Sequence, residues 1–565
     1  MEGPDLSKLK RFDREDPIRM FLAQAQEDQA PVVHLEARLA KNSHDSRKPS
    51  SINRGSALKL APKSLRHPGQ SPKVGQEGEE KVMVPTSVSS GRGKWAALTA
   101  GALSGLLMSS GAWAMPSFAR QTGWSCAACH TSYPQLTPMG REFKLLGYTT
   151  INLQRQQKIE AELAKTVHVL LPRISQFSIF LQASDTHVAG GQAVLKNPPS
   201  VSGSAPNNNV EFPQQVSLFY AGEITPHLGS FLHLTYGGQT GGLGFDDSSI
   251  VWAHPWKLNA DSMVVTGVDM NNTPTSTDLW NTVPDWQAPF FNSDYVPGAP
   301  ATFIENSAGA AYPMAGAGAY VADLFGANHA NWLYLEADTY TNATGNGTMP
   351  NTIGAFAPND GRLASAAPYV RLAYQHNWSD WNWEVGTYGM WSRVYESPVS
   401  TASSGAIVPA GSSSGPVDQF NDYDLDSQLQ WLNTNSNSNL TVRVDWIHEH
   451  QAFGSTTYSS LSSGSLNSMN LNATYWYHDH YAAQGGYQRV YGPANPGFWG
   501  TTYSPSGSPN TSDEWIEASY LPWWNTRLSL RYTLYNKFQG LGGATSTTVA
   551  ASKFNTVELL AWLAY

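Results

Sequence analysis

The chain has 565 residues and carries a formal charge of −9, with 20 tryptophans, 25 tyrosines and only two cysteines. Its basic residues form no cluster after residue 114, so nucleic acid is not an expected partner, and the acidic balance suits cations better. The length would ordinarily suggest three or four domains, but the composition changes twice along the chain and favours a different organisation.

The first 114 residues read as two segments outside the folded protein. Residues 1–82 are rich in Lys, Arg, Gln and Pro without an apolar period, so we interpret them as a disordered extension. Residues 83–114 are predicted to be a signal peptide, because a basic stretch precedes an apolar run that ends in the small-x-small sequence Ala112-Trp113-Ala114. Translation is therefore expected to start at Met83, and the alternative is that residues 1–82 are a real cytoplasmic leader. For the apolar run, the alternative to a signal peptide is a transmembrane helix.

The next segment, residues 115–164, contains both cysteines in the stretch WSCAACH. Cys126, Cys129 and His130 form the C-x-x-C-H pattern of covalent haem c attachment, in which two thiols bind the haem vinyl groups and the histidine ligates the iron. A redox dithiol would need a βαβ surround, and a zinc site would need two more nearby ligands. The sequence shows neither pattern, and an exported protein suits haem attachment.

Other residues of this segment are candidates for contact with the haem. Met139 follows His130 by nine residues, enough extended chain to reach the opposite face of a porphyrin, so it is the predicted distal ligand. A distant histidine or an open position are the alternatives. Arg120, Arg141 and Lys144 are predicted partners of the haem propionates.

Residues 165–565 alternate apolar and polar side chains with the period of β-strands. Val442 and Val444, for example, share one face of a run, and Thr441 and Arg443 share the other. Such strands build either a soluble sandwich or an outer-membrane barrel whose apolar face meets lipid. We predict sixteen antiparallel strands, at 167–182, 211–222, 229–237, 247–254, 261–270, 315–325, 331–341, 368–377, 382–395, 422–432, 438–450, 465–477, 481–492, 513–521, 525–537 and 554–565.

Two observations favour the all-β transmembrane barrel. The links alternate between short turns, such as Pro255 to Ala260 and His478 to His480, and long Gly/Ser/Thr/Asn-rich loops, as in bacterial outer-membrane barrels with periplasmic turns. The chain also ends on an alternating strand with a terminal aromatic residue, Tyr565. The haem segment is too short to bury a core of its own, so we expect it to plug the wide lumen of a sixteen-strand barrel.

Several stretches together resemble the fused cytochrome–porin family of the outer membrane, whose best-known members are iron oxidases. They are PSFARQTGWSCAACH, YPQLTPMGREFKLLGYT, MNNTPTSTDLWNTVPDWQAPF, DYDLDSQLQWL, LSLRYTLYNKFQG and NTVELLAWLAY. The resemblance implies one haem per chain, location in the bacterial outer membrane, oxidation of extracellular Fe(II), and electron delivery to a periplasmic cytochrome c or copper protein.

The iron contacts are predicted from residue type. Asp246 and Asp247 in one predicted extracellular loop, and Asp278 and Asp285 in a longer one, offer the carboxylates that suit iron. Two further pairs of histidines each flank an acidic residue and are weaker candidates, His448 with His450 and His478 with His480.

Three functions compete on the sequence alone. The first is an Fe(II)-oxidising electron conduit, an oxidoreductase. The second is the same conduit with another donor or the reverse direction. The third is a solute porin whose haem serves as a plug or sensor.

Overall fold

The computed structural model describes residues 116–150, 176–191, 209–237, 243–308, 314–342, 362–396, 399–401, 407–409, 414–433, 435–457, 459–500, 506–544 and 549–565. The predicted extension 1–82 and the predicted signal peptide 83–114 lie outside these ranges. So do residues 151–164 of the predicted haem segment and residues 167–175 of the first predicted strand.

Sixteen antiparallel strands close into one barrel, as predicted, and the last strand pairs with the first. They are β3 (Phe177–Val188), β4 (Asn209–Thr225), β5 (Leu228–Gly237), β6 (Leu243–Asn259), β7 (Ser262–Asn271), β8 (Met314–Phe325), β9 (Asn331–Asn342), β10 (Ala367–Trp378), β11 (Trp381–Tyr395), β14 (Val417–Asn433), β15 (Ser438–Ala452), β16 (Ser463–Tyr477), β17 (Tyr481–Tyr491), β18 (Thr511–Trp523), β19 (Thr526–Lys537) and β20 (Thr556–Ala564). A separate ribbon pairs β12 (Val399–Thr401) with β13 (Ile407–Pro409).

The side chains alternate between a polar inner face and an apolar outer face. On β15, Thr441 and Arg443 are buried inside, and Trp446 is exposed outside. Exposed aromatic residues gather near both ends of the wall, as in the girdles of barrels that sit in a bilayer. This exterior identifies a transmembrane barrel. The exposed aromatic residues near one end are Trp256, Trp378, Trp383, Tyr477, Tyr481 and Tyr520, and those near the other end are Tyr236, Trp391, Tyr423, Tyr491 and Tyr532.

The links divide the barrel into two distinct ends. At the short-turn end, strands are joined by links such as 226–227, 260–261 and 379–380, and at the long-loop end by links such as 272–313. One predicted turn is wrong, because Pro255 and Trp256 continue β6 and pair with Val265 and Val264. Trp256 points outward and is 52% exposed, so the continued strand places its side chain in the aromatic girdle.

Residues 116–150, which we call the plug, lie inside the barrel. The plug contains α1 (Pro116–Thr122), α2 (Cys126–Cys129), the paired strands β1 (His130–Ser132) and β2 (Gln135–Leu136), and α3 (Pro138–Leu145). Inner-wall side chains hold it: Asn439 donates to the carbonyl of Thr131, and Gln430 donates to that of Leu136. The predicted lumen plug is therefore confirmed over these residues. No helix in the described ranges has the length and apolar character needed to cross a membrane.

The connection between β7 and β8 also folds into the lumen, and we call its described part, residues 272–308, the inner loop. It ends in the short helix α4 (Phe303–Ala308). The backbone amides of Phe303 and Ile304 donate to Glu449 and Asp422 of the wall. The predicted long extracellular loop is therefore largely an internal element that packs against the plug.

Candidate functional site: a lumen cavity lined by the C-x-x-C-H residues

Cys126, Cys129 and His130 all line one cavity inside the barrel. Thr137, just before α3, holds the turn that carries these residues. Its backbone amide donates to the carbonyl of Cys129, and its hydroxyl donates to the carbonyl of Ala128. The backbone of Gly140 packs directly on the carbonyl of Cys129, where a side chain would leave no room. The motif is therefore held in one orientation, with its three reactive side chains lining the same cavity.

The cavity has two adjoining lobes, which share Cys126, His130 and Tyr133. The first lobe lies within the plug and against the inner loop, and the second against the short-turn end of the wall. Their walls are mainly aromatic, which suits a flat, largely apolar ring system. The aromatic residues are Phe118, Trp124, Phe143, Tyr148, Phe231 and Trp286 in the first lobe, and Phe180, Phe219, Trp476, Trp524 and Trp562 in the second.

His130 lies beside the two cysteines and has one ring nitrogen without a partner among the described residues. Its Nδ1 atom is buried and has no hydrogen-bond partner among the described residues. Burial lowers the pKa of the imidazole to about 4, so the neutral form that ligates metals is present at ordinary pH. The residues present therefore fit a c-type haem.

The two thiols do not have the environment of a redox dithiol. Burial, together with the nearby Cys129, raises the pKa of Cys126 to about 12, and burial raises that of Cys129 to about 11. Reactive cysteines of dithiol oxidoreductases instead have lowered pKa values in electropositive surroundings. The two buried thiols therefore lack the surroundings of a redox dithiol.

Two cations line the cavity, and only one of them was among the predicted propionate partners. Lys144 lines the first lobe, donates to the carbonyls of Ser276 and Asp278 at 2.7 and 2.6 Å, and lies 4.8 Å from the Trp286 ring centroid. Arg527 lines the second lobe and forms an ion pair with Glu517 at 2.6 Å. Sequence reasoning missed Arg527 because nothing near it in the chain marks it.

The structure does not bring the other two predicted cations to the cavity. Arg141 is fully buried, but it donates to Gln375, Asn382 and Gln430, so it anchors the plug to the wall. Arg120 is exposed and donates to the backbone carbonyl of Phe177. Neither arginine therefore lines the cavity that contains the motif, and their contact with haem propionates stays a prediction.

Met139 is also placed outside the cavity. It lies in the first turn of α3 and is 38% exposed. The prediction assumed extended chain between His130 and Met139, whereas those residues fold back as the β1–β2 pair. No methionine and no second histidine is among the described residues lining either lobe, so the structure offers no distal ligand at residue 139.

A second cavity adjoins the first on the side of the long-loop end, and a histidine and two carboxylates converge on it. The ligand atoms of His233, Asp246 and Asp247 lie within 4.8 Å of one another. All three residues line this cavity, as does Tyr133, which also lines both lobes of the first. The two aspartates belong to β6 rather than to the predicted loop, because Asp246 pairs with His233 across the β5–β6 ladder.

The other two predicted iron contacts, Asp285 and Asp278, have different surroundings. Asp285 faces Asp247, and burial raises the pKa of Asp285 to about 7, although its hydrogen bond with Asp247 acts in the opposite direction. Asp278 is fully buried and accepts a hydrogen bond from Arg371 at 3.1 Å. Asp278 therefore fastens the inner loop to the wall and is not an exposed iron contact.

The paired histidines have structural positions. His448 is partly exposed and bonds to Asn467 of the neighbouring strand at 2.9 Å, and His450 is exposed on the same outer face. His478 and Asp479 adopt left-handed backbone conformations in the turn after β16. His480 bonds to the carbonyl of Leu521 at 2.6 Å. Neither pair lies in the cavities.

No protein-family model matches the chain, and no curated protein matches its sequence. Among solved structures, a loop-deletion mutant of the outer membrane protein OmpT of Vibrio cholerae is similar, with 9% identity and a TM-score of 0.37 over 69% of this chain and 98% of that one. The outer membrane channel DcaP of Acinetobacter baumannii has 10% identity and a TM-score of 0.36 over 69% and 96%. An anion-selective porin from Comamonas acidovorans has 10% identity and a TM-score of 0.35 over 69% and 98%.

Proposed function

We propose that this protein is an outer-membrane c-type cytochrome that takes electrons from extracellular Fe(II) and delivers them to a periplasmic carrier. The observation that carries the proposal is the C-x-x-C-H motif, whose three reactive side chains line an aromatic cavity inside a closed membrane barrel. A barrel that served solute passage alone would have no use for this motif in its lumen.

In this proposal Cys126 and Cys129 hold one haem covalently, and His130 ligates its iron. When bound, the haem supplies a centre that accepts and releases one electron. Lys144 and Arg527 provide positive charge on the two lobes, which suits the haem propionates. The aromatic walls exclude water and fix the orientation of the ring.

Fe(II) is expected to bind at His233, Asp246 and Asp247. Carboxylates and imidazole are suitable ligands for ferrous iron, and all three residues line one cavity. Tyr133 lines both this cavity and the C-x-x-C-H cavity, so the proposed donor and acceptor sites adjoin each other. Fe(II) loses one electron there and leaves as Fe(III).

The positions of the two cavities support one direction for the transfer. The His233 group lies on the side of the long loops, whereas the second lobe is lined by Leu521, Trp524 and Ala564 at the short-turn end. With the short turns in the periplasm, as in other bacterial barrels, the donor site faces outward. A periplasmic cytochrome or copper protein would then receive the electron at the short-turn end.

The deciding experiment uses the matured protein in detergent. It is oxidised, Fe(II) is added at mildly acid pH, and the visible spectrum of the haem is followed. We expect rapid appearance of reduced c-type bands. An Asp246→Asn variant should be reduced by Fe(II) at least tenfold more slowly but by dithionite at the same rate, and Asp185→Asn, on the outer face of β3, should behave as the native protein.

Two outcomes would contradict the proposal at different points. Purification without covalent haem, after expression with the haem-attachment machinery, would refute the cytochrome assignment and leave a porin. A haem that dithionite reduces and Fe(II) does not would refute the iron donor and favour another donor or the reverse direction.

A further inference from the structure

The guanidinium group of Arg527 is held firmly at one side of the second lobe. Arg527, the second residue of β19, is 5% exposed and lines this lobe. Its Nε donates to the hydroxyls of Ser519 and Ser529, and its Nη2 donates to Glu517 at 2.6 Å. Its Nη1 makes no hydrogen bond to any residue that the structure describes. One nitrogen of a buried guanidinium is therefore available to a ligand in the lobe.

Two tryptophans bring further hydrogen-bond donors to the same lobe. Trp562 lies opposite Arg527 in the β19–β20 ladder, and the ring centroid of Trp476 lies 5.8 Å from the guanidinium carbon of Arg527. Trp562 and Trp476 are 7% and 1% exposed, and both line the second lobe. The Nε1 atom of each is buried and has no partner among the described residues. Because a buried N–H group without an acceptor is unfavourable, these atoms point to a ligand that supplies acceptor oxygens.

The cation of the first lobe differs, because its hydrogen-bonding capacity is already used. An ammonium group has three N–H donors. That of Lys144 donates to the carbonyls of Ser276 and Asp278 at 2.7 and 2.6 Å, and to Oδ1 of Asn281 at 3.3 Å. Lys144 thus holds the inner loop and has no hydrogen left for a ligand, whereas Arg527 does.

The donors of the second lobe suit a carboxylate on an apolar molecule. Guanidinium and indole groups only donate hydrogen bonds, and hydrogen bonds from a cation to a carboxylate are the strong ones. The surrounding wall is aromatic, with Phe180, Phe219 and Trp524, so it suits the flat apolar part of the same molecule. A haem combines these two features, because its porphyrin ring carries two propionate carboxylates at one edge.

We propose that Arg527, Trp476 and Trp562 bind the haem propionates in the second lobe, through Nη1 of the arginine and Nε1 of the tryptophans. This proposal rests on the cytochrome assignment of the proposed function. The propionate edge of the haem then faces the short-turn end, where Leu521 and Trp524 line the same lobe. With the short turns in the periplasm, it is the edge from which a periplasmic carrier takes the electron.

The test is resonance Raman spectroscopy of the matured holo-protein in detergent, which needs no iron donor. The bending mode of a haem propionate lies at higher frequency when the carboxylate accepts a hydrogen bond. Arg527→Met should therefore shift this mode to lower frequency. The variant is not left with an unpaired buried carboxylate, because Glu517 keeps Arg531 as its partner at 2.6 Å.

Three further variants separate the proposed contacts from general effects of substitution. Trp562→Phe keeps an aromatic ring and removes only the indole donor, so it should shift the mode in the same direction. Trp515→Phe is its matched control, since Nε1 of Trp515 is also buried without a described partner, but Trp515 is not among the described residues that line either lobe. Lys144→Met, in the first lobe, should leave the mode at its native frequency.

The outcomes distinguish this proposal from the proposed function. A folded barrel without covalent haem would refute both. The expected shifts in a haem that Fe(II) does not reduce would support the propionate site and refute the iron donor. The native frequency in both Arg527→Met and Trp562→Phe, or a shift in Lys144→Met, would overturn the propionate site alone. If Arg527→Met does not fold, Trp562→Phe decides the question.

Discussion

Among single residues, the two cations of α3 differ in their surroundings: Lys144 lines the cavity, whereas Arg141 donates to three side chains of the wall. The three wall side chains that hold Arg141 lie 234 to 289 positions away along the chain. Such partners follow from barrel register, which a local reading of residue types does not provide.

Gly140 gives a sharp prediction at this scale. A Cβ atom there would lie 2.1 Å from the carbonyl oxygen of Cys129, which is backbone and cannot move aside alone. Gly140→Ala should therefore displace the C-x-x-C-H turn and reduce covalent haem per folded barrel several-fold, measured by the pyridine haemochrome spectrum. Gly542→Ala, where nothing lies within 4 Å, is the control. Equal haem content in both variants would show that the α3 contact does not position the motif.

At the scale of elements, the strands were predicted well because one physical cause sets their pattern. Lipid outside and polar groups inside impose strict alternation, so the predicted strand 331–341 matches the observed β9 within a residue. The inner loop was not predicted as an internal element. Its entry into the lumen depends on contacts such as Phe303 with Glu449, between segments far apart in sequence.

The turn after β16 predicts a pH dependence. Burial raises the pKa of Asp479 to about 6, despite the opposing effect of His480 and His478. The folded state then holds a proton that the unfolded state releases between about pH 4 and 6, so this group stabilises the fold less as pH rises through that range. Asp479→Asn keeps the left-handed backbone, which asparagine tolerates, and removes the titration.

We therefore expect the Tm of the native protein to fall more between pH 4 and pH 6 than that of Asp479→Asn. The control is Asp261→Asn, an exposed carboxylate in another short turn. An identical pH profile for all three proteins would show that Asp479 does not titrate in this range.

At the scale of the whole molecule, the sequence predicted a plugged barrel, and the structure adds a second obstruction. The plug occupies the short-turn side through Arg141 and Gln430, and the inner loop crosses the lumen through Asp278 and Arg371. Arg371 also bonds to Glu384 and Asp426 of the wall. Such filling is compatible with electron conduction and narrows any path for solutes through the lumen.

This filling predicts a low conductance in planar bilayers, well below that of an open sixteen-strand porin. Arg371→Met should raise the conductance, because it leaves Asp278, Glu384 and Asp426 as buried carboxylates without their shared cation. Breaking a buried ion pair costs about 3–5 kcal/mol. The inner loop is held partly by this group and should therefore detach from the wall.

Two variants separate this effect from a general loss of charge or fold. Asp278→Asn removes the charged loop partner of Arg371 and leaves the arginine paired with Glu384 and Asp426 of the wall, so its conductance should rise less. Arg489→Met removes an arginine whose guanidinium lies 4.9 Å from the centroid of the outer Tyr491 ring and should leave the conductance unchanged. Porin-like conductance in the native protein would mean that the plug and inner loop leave an open path, and would favour solute transport over electron conduction.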